Sequence, residues 1–202
     1  KSKIINFKGQ WRSSKILAGG GILLDQGIHL LDILIFFCGD FLDVKSFISN
    51  KFWSYRVEDN AYSLIKFKNN VVAMIHSTAT QWQHKFRVEI IMEKGQMNLN
   101  GILSGSKSYG DEKIEIIPKL VKKSHKKKIL SFKKDLSWDR ETREFIDSLK
   151  RNKKIITGNI EDAKRVMNLV DKIYKSEEVV QKEILGYKVI SSLLEAFVSA
   201  AA

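Results

Sequence analysis

Gly19-Gly20-Gly21-Ile22-Leu23-Leu24-Asp25-Gln26-Gly27-Ile28-His29-Leu30-Leu31-Asp32 sets a triple glycine directly ahead of an apolar stretch that carries a carboxylate and an imidazole four residues apart. Residues i and i+4 share one face of a helix, so Asp25 and His29 can touch. A carboxylate that holds one ring nitrogen fixes the tautomer of the imidazole and leaves the other nitrogen for proton transfer. Gly27 lies between them, where an alanine would favour the helix by about 1 kcal/mol. A glycine there implies that something approaches the backbone closely. The segment reads as an active-site helix; an ordinary surface pair or core contact is the other reading of an isolated Asp/His pair.

Outward from this helix the hydrophobic pattern gives the architecture. Residues 3–12 read as a strand, and Ile22 to Phe37 is apolar enough to predict a buried helix. After Gly39-Asp40 the period changes to two, which predicts strands over 44–52, 61–68, 71–80, 86–93 and 96–100, with a further short one at 114–117. Lys68-Asn69-Asn70 and Lys94-Gly95 are hairpin signals. Two amphipathic helices, 140–151 and 160–176, follow, with Asn159 as the N-cap of the second. This order predicts an α+β fold: an open, largely antiparallel sheet with helices on one face. The other face is then solvated or meets a partner. On the third strand Ile75, Ser77 and Ala79 fall on one side and Met74, His76 and Thr78 on the other.

Composition bounds the function classes. The chain has 202 residues, 44% of them hydrophobic, which suits one large domain or two small ones, enough for a real core. No apolar run looks long enough to span a bilayer, so no membrane role is expected. A single cysteine, Cys38, rules out an intrachain disulfide; it reads as a buried structural thiol in a reducing, cytoplasmic setting. The net charge of +12 is concentrated, with eight lysines between Lys119 and Lys134. That run reads as a solvated loop or as an edge strand whose lysines discourage pairing. Only Phe132 interleaves with the lysines, and no nucleic-acid module accompanies them, so no nucleic acid is expected as a partner.

The glycine–aspartate–histidine string resembles the signature of the Gfo/Idh/MocA oxidoreductases, Gly-Gly-Gly-x-Leu-x-Asp-x-Gly-x-His-x-x-Asp, in the helix that opens their substrate domain. The resemblance extends to Trp11-Arg12, to Val57-Glu58-Asp59-Asn60-Ala61-Tyr62, to the hairpin glycine Gly95, and to Phe145, Gly158 and Asp162-Ala163. It implies a C-terminal domain like that of glyceraldehyde-3-phosphate dehydrogenase, covering residues 1–185 and serving substrate binding and oligomerisation. A tail from Gly186 to Ala202 lies outside it, with no assigned role. The resemblance also implies an NAD(P)-dependent dehydrogenase acting on a secondary alcohol of a sugar, cyclitol or nucleotide sugar, and a homo-oligomer formed through the open sheet face. His29 would be the general acid/base and Asp25 its partner. Arg12, Gly27, Asp32 and His76 would contact substrate.

The family's dinucleotide fingerprint is not found, because the third glycine of such a motif would fall at Leu24 and no βαβ unit surrounds it. NAD or NADP is therefore expected to be bound mainly by an N-terminal domain absent from these residues, leaving the chain inactive alone. No metal is expected: Asp25, His29 and Asp32 have no further spaced ligand pair beside them. The competing reading is a non-catalytic ligand-binding or assembly domain of the same fold.

Overall fold

The computed structural model describes residues 11–53, 55–104, 106–119, 126–156 and 158–177. Most of the predicted first strand, residues 3–10, and the tail from Gly186 lie outside the described residues, as do residues 120–125 of the lysine run. The described residues divide into two compact units, one of residues 11–80 with 156–177, the other of residues 81–155.

The first unit holds the predicted helix and a three-stranded sheet. Trp11–Ser13 form a 3-10 turn instead of the end of a strand, and a short helix α1, Lys15–Ala18, follows. Gly19, with φ +80°, ends α1 in a backbone conformation that other residues rarely adopt. The chain then enters a π-helical turn, Leu23–Gly27, which continues into α2, Ile28–Cys38. The predicted single helix thus begins with a widened turn. Gly39 ends α2, and β1, Phe41–Ser49, starts three residues earlier than the period-two pattern suggested. β2 is Asn60–Phe67 and β3 is Val72–Thr78, both antiparallel, in the order β1-β2-β3. Asn70, at φ 66°, makes the tight turn between them, as the Asn-Asn signal required. Helix α4 spans 160–177 among the described residues, and the Asn159 side chain caps it by accepting from the Glu161 and Asp162 amides.

Burial on β2 alternates without a break: Ala61, Ser63, Ile65 and Phe67 are buried while Tyr62, Leu64 and Lys66 are exposed. The buried side chains meet Leu23, Leu31 and Ile35 from the helix and Val166, Leu169, Val170 and Ile173 from α4. Two hydroxyls fasten α4 to β1. Ser46 donates to the Ile173 carbonyl at 2.6 Å, and Ser176 donates to the Val44 carbonyl at 2.9 Å. Ser46, Ser63 and Ser77 are polar positions in an otherwise apolar layer; Ser46 is satisfied by this bond, and Ser77 donates to the Ile22 carbonyl at 3.2 Å.

Residues Lys15–Cys38 together are long and apolar enough to cross a membrane by length and composition, with a mean hydropathy of 1.7 over the apolar window. This corrects the expectation that no run reaches such a length. The stretch is bent at Gly19–Gly21 and its Leu23, Leu31 and Ile35 are packed into the core of the unit. Cys38 is half-buried at the end of α2, and burial pushes its thiol pKa up.

The second unit is a four-stranded antiparallel sheet of β4 (Arg87–Met92), β5 (Gly95–Asn100), β6 (Lys113–Pro118) and β7 (Lys128–Ser131), in that order. The predicted sheet is therefore divided between the two units. Gly95 is required at its hairpin, because a Cβ would stand 2.3 Å from the Ile117 carbonyl oxygen. β7 is the edge strand that the lysine run allowed, and all four of its residues are exposed. Helix α3, Ser137–Lys150, is strongly amphipathic and buries no residue.

Replacing Phe67 by alanine is expected to cost roughly 3–5 kcal/mol, while Phe47→Ala on the open face should cost less than about 1 kcal/mol. Chemical denaturation of the two variants checks the assignment of faces; equal losses would refute it.

Candidate functional site

The site is built around Glu58, in the lead-in to β2. Its side chain is buried, and its two oxygens take three donors: the Gly21 amide at 2.9 Å, the Leu23 amide at 3.0 Å and the Tyr174 hydroxyl at 2.8 Å. Its backbone carbonyl accepts the Ile22 amide at 3.1 Å. The amides at a helix start have no partner within the helix, so a carboxylate placed there satisfies them. Burial, then the Glu58 charge, then the hydrogen bond to it push the Tyr174 phenol far above its ordinary pKa.

The glycines are fixed by this arrangement. A Cβ on Gly20 would lie 2.2 Å from the Tyr174 hydroxyl, and one on Gly21 would lie 2.1 Å from the Glu58 carbonyl oxygen. The turn that follows carries Asp25 to the wall of a pocket of about 190 Å³, lined also by Trp11, Arg12, Trp53, Tyr55 and Asp59. Arg12 pairs with Asp25, Nε to Oδ1, at 3.5 Å, and its guanidinium lies 4.6 Å from the Trp11 ring centroid. Asp59 is buried; its Oδ2 accepts the Phe52 and Trp53 amides at 2.8 and 3.0 Å, and its Oδ1 accepts from the Asn60 side chain at 3.0 Å.

Of the residues singled out in the sequence, Arg12 and Asp25 stand together at this pocket. His29 is exposed one turn further along, and no hydrogen bond joins it to Asp25 among the described residues. Arg12 takes the Asp25 carboxylate in place of the hydrogen bond to His29 that the spacing allowed. Gly27 is buried, and what approaches it is β3, since a Cβ there would meet the Ser77 side chain at 3.0 Å. The close approach that the sequence assigned to a ligand is made by the protein itself. Asp32 is exposed on α2.

His76 lies on the open face of the sheet, away from the helix. Its ring stacks on Tyr62 with centroids 4.2 Å apart, and its Nε2 is 3.2 Å from Asn60 Oδ1. Among the described residues no group of three or more His, Cys, Asp or Glu side chains is arranged to hold a metal ion.

The glycine turn does not fit a dinucleotide. The amides that would face a phosphate are occupied by the Glu58 carboxylate, and the space above Gly20 and Gly21 is filled by Tyr174 and Glu58. Glu58, Asp59, Trp53 and Tyr174 were not recognised in the sequence as parts of the site. The adjacent carboxylates Glu58-Asp59, directly ahead of an alternating strand, were the available signal.

Comparison with known proteins agrees with this architecture. Residues 3–98 match the model of the GFO/IDH/MocA C-terminal domain. Over that stretch, a little under half of its length, the chain is similar to the C-terminal domain of the Gfo/Idh/MocA oxidoreductases. Solved structures similar to it include a levoglucosan dehydrogenase in complex with NADH and levoglucosan, 15% identical with a TM-score of 0.70, over 88% of this chain and 54% of that one. An aldose–aldose oxidoreductase from Caulobacter crescentus complexed with glycerol is 19% identical with a TM-score of 0.67, over 84% and 49%. An oxidoreductase from Agrobacterium radiobacter in complex with NAD+, L-tartaric acid and magnesium is 19% identical with a TM-score of 0.66, over 85% and 51%. At these identities the likeness is one of fold, and the chain spans about half the length of these structures. The comparison with curated proteins returned no match.

Burial lowers the pKa of His76 from its ordinary 6.5. The folded state therefore binds its proton less readily than the unfolded chain, so the contribution is complete above about pH 6.5 and is lost as pH falls through the lower folded value. Stability measured from pH 7.5 down to 5 should decline less steeply in His76→Gln than in the wild type; parallel curves would refute this.

Proposed function

We propose that this domain is the substrate half of an NAD(P)-dependent oxidoreductase acting on a secondary alcohol of a sugar, cyclitol or nucleotide sugar. The observation that supports it most is the pocket wall shared by Arg12 and Asp25 on a family helix that also carries an exposed histidine. The dinucleotide would be held by residues other than the glycine turn, which Glu58 fills. His29 would take the hydroxyl proton of the substrate as general base and return it in the reverse direction. Asp25, held by Arg12, would orient the hydroxyl or relay its proton. Arg12 would supply further donors to substrate oxygens. Gly27, Asp32 and His76 are weaker candidates for substrate contact, given their places in the fold.

The open face of the β1–β3 sheet supports an oligomer as part of the same reading. Phe47, Tyr62, Leu64 and Met74 are exposed there at 60, 45, 52 and 80%, an apolar patch of the kind that marks association sites. A homodimer or tetramer would bury it. A non-catalytic ligand-binding or assembly domain uses the same pocket and face, and activity measurements separate the two readings.

In the protein bearing this domain with its cofactor-binding partner domain, His29→Ala is expected to lower kcat by about 100-fold or more, with KM changed much less. Steady-state kinetics with the best sugar or cyclitol substrate checks it. Full retained turnover would remove His29 from the chemistry.

A further inference from the structure

The sheet of the second unit ends in an open edge. β7 is last in the order β4-β5-β6-β7 and pairs with β6 on one side only. The Phe132 amide donates to the Glu112 carbonyl at 3.0 Å, so Phe132 and the residues in phase with it turn their backbone groups toward β6. By the alternation of an antiparallel ladder, Ile129 and Ser131 turn theirs to the other side. No strand meets them there among the described residues. Such a row of N–H and C=O groups is a template for one more strand.

The side chains along this edge select what can join it. Five lysines and no acidic residue fall between Lys126 and Lys134, and every residue of that stretch is exposed. Lys127 pairs with Glu115 at 2.7 Å; Lys126, Lys128, Lys133 and Lys134 make no ion pair among the described residues. A second copy of β7 would set these lysines against one another, and like charges placed opposite each other disfavour pairing. Ile129, Leu130 and Phe132 are exposed in the same stretch, at 53, 38 and 41%. A phosphate backbone leaves these apolar side chains without partners. Phe132 is the single aromatic residue among the lysines, so there is no platform on which successive bases could stack. An open backbone edge, unpaired ammonium groups and interspersed apolar side chains together match an extended peptide that carries carboxylates and some apolar residues.

We infer that β7 is a docking edge that takes an acidic, extended segment of another protein as the next strand of this sheet. Main-chain hydrogen bonds to Ile129 and Ser131 set the register, and carboxylates of the incoming strand meet the lysines at the two ends of β7. The same lysines reject a basic strand and attract an acidic one.

The test is a binding titration of the 202-residue chain with acetyl-Glu-Val-Glu-Val-Glu-Val-amide at low ionic strength, with amide hydrogen exchange measured on the complex. The comparison probes are the peptide with lysine in place of glutamate, the acidic peptide N-methylated at its two central residues, and an oligothymidylate of equal charge. The acidic peptide should bind about tenfold or more tightly than each of these. In its complex the Ile129 and Ser131 amides should exchange about tenfold or more slowly. Ser131→Pro removes an outward donor and leaves the bonds to β6 in place, and should weaken the acidic peptide by about tenfold. Lys133→Glu combined with Lys134→Glu, exposed positions beyond the end of the strand, should weaken it by a similar factor of about ten. Equal binding of the N-methylated peptide or of the oligothymidylate, binding that leaves both amides unprotected, or no binding of the acidic peptide would overturn the inference. Self-association of the chain with protection of the same two amides would also overturn it, because the occupant would then be a second copy.

Discussion

One buried carboxylate organises the first unit. Glu58 receives the Gly21 and Leu23 amides and the Tyr174 hydroxyl, and so ties the start of the π turn, the lead-in to β2 and helix α4 at a single point. Hydrogen bonds to a charged acceptor contribute more than neutral ones, roughly 1.5–3 kcal/mol each, and a buried carboxylate stripped of them costs more than the bonds gain. The requirement for glycine at positions 20 and 21 follows, because side chains there would occupy the space of Tyr174 and the Glu58 backbone. The position of Asp25 follows as well, since its amide closes onto the Gly21 carbonyl at 2.9 Å, directly after the clamped residue.

The clamp decides what the helix offers on its two sides. Asp25 faces a pocket where Arg12 meets it, while His29 is exposed and Gly27 is pressed against Ser77 of β3. The glycine between the two candidate catalytic residues serves helix–sheet packing, and this close approach is what allows Leu23 and Leu31 to enter the core. The neighbouring Asp59 does similar work one residue later, fixing the Phe52 and Trp53 amides and with them the aromatic wall of the pocket. Adjacent acidic residues therefore serve two different segments of the same site.

Much of the fold was legible in the sequence for reasons that reside in local periodicity. β2 alternates apolar and polar positions, and the structure buries one set and exposes the other, with Ile75 and Ser77 inward and Met74 and His76 outward on β3. The Asn69-Asn70 turn and Gly95 were visible because their backbone conformations exclude most residues. What the pattern could not show was long-range. A π turn has no signature in apolar spacing, and neither does the pairing of Arg12 with Asp25 across two elements. The bonds from Glu58 reach positions 35 and 37 residues back and Tyr174 116 residues ahead, distances at which spacing carries no information. The division of the strands between two sheets depended on hydrogen-bond pairing, and the early start of β1 on how promptly Gly39 ends the helix.

The most direct test of this account is amide hydrogen exchange at Gly21 and Leu23 in the wild type and in Glu58→Gln. Glutamine has one acceptor oxygen where glutamate has two, so one of the two amides would face an NH2 group instead of an acceptor. The account predicts that at least one of them exchanges about tenfold or more faster in the variant while the amides of β2 and β3 keep their protection. Unchanged protection at both Gly21 and Leu23 would contradict the claim that Glu58 holds the site together.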